Sequence, residues 1–408
     1  MTTTLWQQRI QQATKILLIL TAFVIPLSTS VTDILFPLIF LLTLFTGNWQ
    51  EKWQTISRNP VFICFLLLFL FYFIGVFYSF SPFSVAFKYF LKYLPFLFIL
   101  FSAPLFRERK LRNYVFNAFL FSILLTLILS LFRIIFHQHF GTRMGIGETD
   151  TIFKGHIDQS TLFSIAAFFS LYRFLNFRND SKNWMRWLYL AFTILLLIIV
   201  MWFNGSRTGY AVAGILFLYT CFNRYGWDGF FAAMIVGAVS IGFLFYHSST
   251  FQERTRTAYV ELTQYLHGQN YLTDNGMRLV FDVNTFRLLK HRPVFGYGTG
   301  STITAYTQLL SNAQRHDTGR LGAVANGYLN VAFQLGFLGL ALLIYLFGKQ
   351  WFYGAYLLGE EKFFNHILLL AIITADFFNP SLTDTTPLHL YVLFTIVFFG
   401  ALEKNKSS

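Results

Sequence analysis

The chain has 408 residues, 55% of them hydrophobic, 20% aromatic and only 12% charged, and its mean hydropathy is positive. That composition excludes a soluble globular domain. The formal charge of +13 does not call for a nucleic-acid partner, because a chain with many membrane spans collects Lys and Arg for topological reasons first.

A polar start leads into "ILLILTAFVIP" with no small-residue cleavage site before the next apolar run, so the first run reads as a retained span. Runs such as "VFICFLLLFLFYFIGVFYSF" (61–80) and "YLAFTILLLIIVMWF" (189–203) are long enough, or nearly so, to cross a hydrocarbon core as helices. Apolar runs broken by polar, Gly, Pro or Asn punctuation predict spans near 14–29, 31–47, 60–79, 84–103, 113–136, 158–177, 187–203, 207–222, 228–246, 326–347, 364–379 and 386–402. The expectation is an all-α polytopic membrane protein of about twelve spans: nine within 1–246, a folded helical loop over 247–325, and three more with a tail over 326–408.

Orientation follows from the short loops. With the N-terminus inside, the inner connections hold Lys52, Arg58, "FRERKLR" (106–112), Arg178, Lys182, Arg186, Arg224, Lys349 and Lys362, and the tail holds Lys404 and Lys406. The outer connections at 80–83 and 380–385 hold no Lys or Arg. The same assignment puts 137–160, the tight 204–206 turn and the long 247–325 loop outside. That loop defies the charge rule, with Arg254, Arg256, Arg278, Arg287, Lys290, Arg292, Arg315 and Arg320 against five carboxylates. An outward cationic surface that topology does not explain is a functional suspect. Within it, "STFQERTRTAYVELTQYL" and "NGMRLVFDVNTFRLLK" show helical spacing of apolar residues and predict amphipathic helices near the membrane surface.

Arg207 opens the eighth span at the seam of two apolar runs, among Gly205, Ser206 and Thr208. A guanidinium there either snorkels or faces a polar cavity and grips an anion; the short turn and small neighbours favour the second reading. Arg278 follows Asn275 and Gly276, which look like an N-cap region, so it is expected in a first helical turn, where free amides and the helix dipole already favour an anion. "HRPVFGYGTGS" (291–301) follows that helix and reads as a sharp turn packed under the site, since it gives no nucleotide fingerprint. His316 beside Asp317, and His156, His137 and His139, fall outside; none has metal-ligand spacing, and "HQH" alone is a poor chelate. Cys64 and Cys221 lie in apolar runs and offer neither a disulfide nor a metal site. No metal or cofactor is expected.

"VANGYLNVAFQLGFLGLALLIYLF" (324–347) resembles the O-antigen ligase and polymerase family of bacterial membrane glycosyltransferases, whose hallmark is His-Asn-x-Tyr-Leu followed by Gln-Leu-Gly-x-x-Gly-Leu. Asn326, Tyr328, Leu329, Gln334, Leu335, Gly336 and Gly339 match it. Ser206, Arg207 and Gly209 match a Ser-Arg-x-Gly motif that opens a span, and Arg278 with Pro293, Gly296 and Gly298 matches an Arg-bearing helix followed by Pro-x-x-Gly-x-Gly. The layout, with a large outer loop between spans nine and ten, is also similar to the ligases and GT-C-like.

The resemblance implies a ligase of the bacterial inner membrane with its site facing the periplasm. It would move a glycan from undecaprenyl diphosphate to a sugar hydroxyl of the lipid A core, inverting the anomeric centre without metal or nucleotide. It implies Arg207 and Arg278 on the diphosphate, position 325 as the base, His316 as a possible stand-in for that base, and Arg143, Ser206, His156, Asn326 and Tyr328 around the substrates. One departure is plain: the family's histidine is Ala325 here. Either another group such as His316 substitutes, or the chain is naturally inactive, or the alanine was introduced to trap a substrate; the intact neighbouring motif positions favour the third. A repeat-unit polymerase, a protein O-glycosylating relative and a non-enzymatic lipid-linked glycan transporter are the competing readings.

Overall fold

The structure, a computed structural model, describes residues 5–98, 100–136, 151–177, 183–268, 273–309, 324–400 and 402. These residues fold as helices, and no strand occurs among them. In chain order the helices are α1 (Leu5–Val24), α2 (Thr29–Phe45), α3 (Trp49–Arg58), α4 (Pro60–Phe77), α5 (Phe83–Phe90), α6 (Pro95–Phe98), α7 (Arg109–Phe136) and α8 (His156–Leu175). They continue as α9 (Asn183–Ile198), α10 (Arg207–His247), α11 (Ser249–Leu266), α12 (Asp274–Leu289), α13 (Thr302–Leu309), α14 (Gly327–Gly354), α15 (Gly359–Asp376) and α16 (Thr385–Phe399). Pro95 and Pro104 lie in the stretch from α5 to Arg107, which is broken into α and 3-10 pieces, because proline removes a donor and crowds the preceding turn.

Six helical runs are long and apolar enough to cross a membrane: Pro60–Phe77, Phe83–Arg107, Arg109–Phe136, Asn183–Phe203, Arg207–His247 and Gly327–Gly354. The chain is therefore a helical membrane protein. Each of the twelve expected spans overlaps a helix or half of one, yet length and hydropathy together qualify these six. The central α8 and α15, at 20 and 18 residues, are long enough but carry buried Gln159, Ser160, Ser164, Asn365 and His366. Helices surrounded by protein tolerate such groups, because neighbours rather than lipid meet them.

Two breaks shape the bundle. A straight 41-residue helix would run about 60 Å, twice the thickness of a hydrocarbon core. Gly226 (φ 63°, ψ −145°) interrupts α10, and a Cβ on Gly229 would meet the carbonyl oxygen of Cys221 at 2.5 Å. A continuous helix would hold those residues about 12 Å apart, so the chain doubles back there.

The second break is at Gly336 of α14 (φ 70°, ψ −174°), and it is filled by the segment after α12. The amide of Tyr297 donates to the carbonyl of Phe333 (2.8 Å), that of Gly298 to Gln334 (2.8 Å), and that of Phe337 to Pro293 (2.7 Å). The Gln334 side chain accepts from the amide of Gly300 at 2.9 Å. On its other side the segment is tied to α4, where Thr299 donates from its amide to Gly75 (3.0 Å) and Phe80 donates to Tyr297 (2.8 Å). Residues 293–300 thus form a plug that satisfies backbone groups which hydrocarbon would leave unpaired. The plug also accounts for the Gly-rich pattern: a Cβ on Gly336 would fall 2.0 Å from the Val294 carbonyl oxygen, and one on Gly298 would fall 2.3 Å from the Cα of Ser79. The sharp turn expected under the site is this plug.

The two ends of the bundle differ in chemistry. One end carries ion pairs between Lys15 and Glu108, Arg107 and Glu51, Arg112 and Glu361 (2.7 Å), and Arg173 and Glu360 (3.0 Å). The other gathers the starts of α10 and α14, the end of α15 and the helices α12 and α13.

Candidate functional site

Arg207 owes its place to the residues just before it. The chain leaves α9 through a π-turn over Ile199–Phe203, and Ser206 caps α10 by accepting from the amide of Gly209 at 3.1 Å. Arg207 is therefore the first helical residue, as the sequence suggests. A Cβ on Gly209 would lie 2.5 Å from Ser160, so the start of α10 is seated against the first turns of α8, the helix that His156 opens. Asn204, three residues upstream, is fully buried, and among the described residues neither atom of its side-chain amide has a hydrogen-bond partner. A buried amide without partners costs about 1–3 kcal/mol.

Arg278 departs from expectation in one respect. The cap of α12 is Thr273, whose hydroxyl accepts from the amide of Gly276 at 3.1 Å, and Glu261 of α11 accepts from the amide of Asn275 at 3.2 Å. The helix begins two residues earlier than Asn275 and Gly276 imply, so Arg278 lies in the second turn, and the amides of Asn275 and Gly276 already have partners. The guanidinium lies on the side of the helix. Its Nη1 donates to the carbonyl of Phe378 at 2.8 Å. Asp282, one turn on, lies on the same face and has a buried oxygen with no partner. Burial pushes its carboxyl up to about 6, against the lowering effect of Arg278.

Ala325 is half-buried just ahead of α14. Asn326 caps that helix, accepting from the amide of Leu329 at 3.0 Å, and its amide nitrogen donates to the carbonyl of Phe377 at 3.2 Å. Tyr328 donates to the carbonyl of Ile373 at 2.8 Å and packs its ring on Phe377. Gly327 is pressed against Asp376: a Cβ there would lie 2.6 Å from one carboxylate oxygen. That oxygen accepts from the amide of Leu382 at 3.3 Å.

The end of α15 joins the three motifs. Phe377 accepts from Asn326, Phe378 accepts from Arg278, and Asn379 donates its side-chain amide to the hydroxyl of Thr208 at 3.0 Å, beside Arg207. Three consecutive residues thus hold the start of α10, the side of α12 and the start of α14 at one end of the bundle. Asn204, Asp376 and Asn379 belong to this cluster although the sequence reading gave them no role in a site; an asparagine three residues before an arginine at a span seam was the one visible signal. His316 and Arg143 lie outside the described residues, as do His137 and His139. Among the described residues no group of three His, Cys, Asp or Glu side chains is arranged to hold a metal ion.

Residues 191–344, from within α9 to within α14, match the family described as O-antigen ligase. The matched stretch contains Arg207, Arg278, Ala325 and the plug. No curated protein matches the chain.

Proposed function

From a chain that carries the O-antigen ligase domain, we propose an enzyme that transfers a glycan from undecaprenyl diphosphate to a sugar hydroxyl of the lipid A core. In this reading the protein sits in the inner membrane of a bacterium with about twelve spans, and the cluster at the starts of α10 and α14 and the side of α12 faces the periplasm; the lysine- and arginine-rich short loops, read as cytoplasmic, support that side. What supports it above all is the attachment of Arg278, Asn326 and Thr208 to Phe378, Phe377 and Asn379.

In the transfer, the C1–O bond to the diphosphate breaks and negative charge grows on the leaving group. Arg207 and Arg278 meet that charge with fixed donors, and Asn204 supplies a further polar group at the same seam. The acceptor oxygen forms its bond to C1 from the opposite face, and its proton must pass to a base. The methyl of Ala325 takes no proton. The chain with alanine at 325 therefore binds its substrates and turns them over slowly, and Ala325→His restores a group at the position the family uses.

The test is reconstitution of the Ala325→His protein with lipid-linked glycan and core lipid, read by the mobility of the core lipid on a gel. A slower-migrating core lipid is the expected product. Glycans lengthened on the carrier lipid would identify a polymerase instead, and movement of the donor across vesicles without a covalent product would overturn the enzyme reading.

A further inference from the structure

A cavity of about 410 Å³ opens at the same end of the bundle, lined by Ser28 and Ser30 at the start of α2, Lys154, Gly155, Asp158 and Thr386. Its size is that of small-molecule sites, roughly 300–1,000 Å³. It adjoins the cluster already described, because Asp384 acts both on Asp158 and on Asp376, the carboxylate against which Gly327 is pressed.

Three features distinguish this cavity from a packing defect. Lys154 is 6% exposed, and burial pushes its ammonium down to about 8, with Asp158 and Asp33 opposing that shift. An ammonium group kept at such a site is costly unless it has work. Gly155 has ordinary extended backbone (φ −59°, ψ 156°), and among the described residues nothing lies within 4 Å of where its Cβ would be. Neither conformation nor crowding requires glycine there; what its missing side chain provides is open space. Finally, the lining pairs opposite charges: Asp158 shares the cavity with Lys154, and Asp33 acts on the same ammonium from outside it.

Such a lining suits vicinal hydroxyls, for which carboxylates accept, the ammonium donates and serine and threonine do either. We propose that this pocket binds a sugar ring of one of the two glycan substrates, through Lys154, Asp158 and the hydroxyls around them. The site end of the protein then divides its work: arginines hold the diphosphate, and a pocket of paired charge and hydroxyls beside them holds sugar. This inference rests on the glycan-transfer reading above and adds to it where a sugar sits.

The experiment is calorimetric titration of the full chain in lipid nanodiscs with three probes: dephosphorylated core oligosaccharide, repeat-unit glycan released from its carrier, and inorganic pyrophosphate. One saccharide is expected to bind, and which one binds identifies donor or acceptor as the source. Asp158→Asn, and separately Ser30→Trp at the exposed rim, weaken that saccharide at least tenfold and leave pyrophosphate binding unchanged. The proposal is overturned if neither saccharide binds the parent chain, or if Ser30→Trp binds as the parent does. Pyrophosphate lost from Arg207→Gln but retained by Asp158→Asn supports the arginine reading; its failure to bind the parent would sink that reading and leave the saccharide result standing.

Discussion

The guanidinium of Arg278 donates to the carbonyl of Phe378 at 2.8 Å, so α12 is fastened to the turn that follows α15, next to the Phe377 carbonyl that Asn326 bonds. In the Ala325→His background, Arg278→Gln is expected to lower turnover roughly 100-fold, the usual effect of losing one fixed donor to a developing anion. Arg278→Lys recovers only part of it, because an ammonium cannot serve the carbonyl and a phosphate oxygen with the same planar fork. Equal rates for the lysine variant and the parent would count against this role.

The plug predicts a sharp contrast between two glycines of α14. Gly336→Ala sets a methyl on the Val294 carbonyl at a positive φ and is expected to destabilise by about 2–5 kcal/mol. Gly348→Ala meets nothing within 4 Å and should be neutral or stabilising by up to about 1 kcal/mol. Thermal melting of the two variants in detergent, followed by size-exclusion fluorescence, compares them directly.

Asp282 gives a pH signature. Its folded pKa of about 6 lies above the unfolded value of about 4, so between those values the folded chain holds more protons. Its favourable contribution is complete below about pH 4 and is lost as pH rises through about 6. The melting temperature of the parent should therefore fall relative to that of Asp282→Asn across this window. Parallel melting curves for the two proteins would refute the assignment.

At the opposite end, Arg112 and Glu361 pair at 2.7 Å with side chains only 12% and 16% exposed, and the same guanidinium donates to the carbonyl of Phe106 at 2.6 Å. Arg112→Gln should cost more than Glu361→Gln, because it also strands that carbonyl. A double-mutant cycle should return a coupling of about 1–3 kcal/mol, measured by denaturant-induced unfolding in mixed micelles.

Much of the fold was legible because lipid imposes a one-dimensional code: apolar length marks a helix, and small polar residues at a seam mark its start. Arg207 could be placed to the residue on that basis. The start of α12 could not, since Thr273 outcompetes Asn275 as a cap only with Glu261 of another helix holding the next amide. Hydropathy likewise underrates α8 and α15, whose polar residues are met by protein. The plug was beyond a linear reading, because its bonds join residue 75 to 299 and residue 293 to 337. Asn379 and Asp376 stayed without a role for the same reason: their partners, Thr208 and Leu382, are fixed only once α15 is in place.

The break in α14 also bears on how the chain assembles. Until residues 293–300 dock, the carbonyls of Phe333 and Gln334 and the amide of Phe337 face hydrocarbon without partners. The plug is synthesised before α14 and can close the break only once that helix has been made. Insertion and maturation are thereby separated in time, and the bundle is complete only when the last third of the polypeptide has closed the gap.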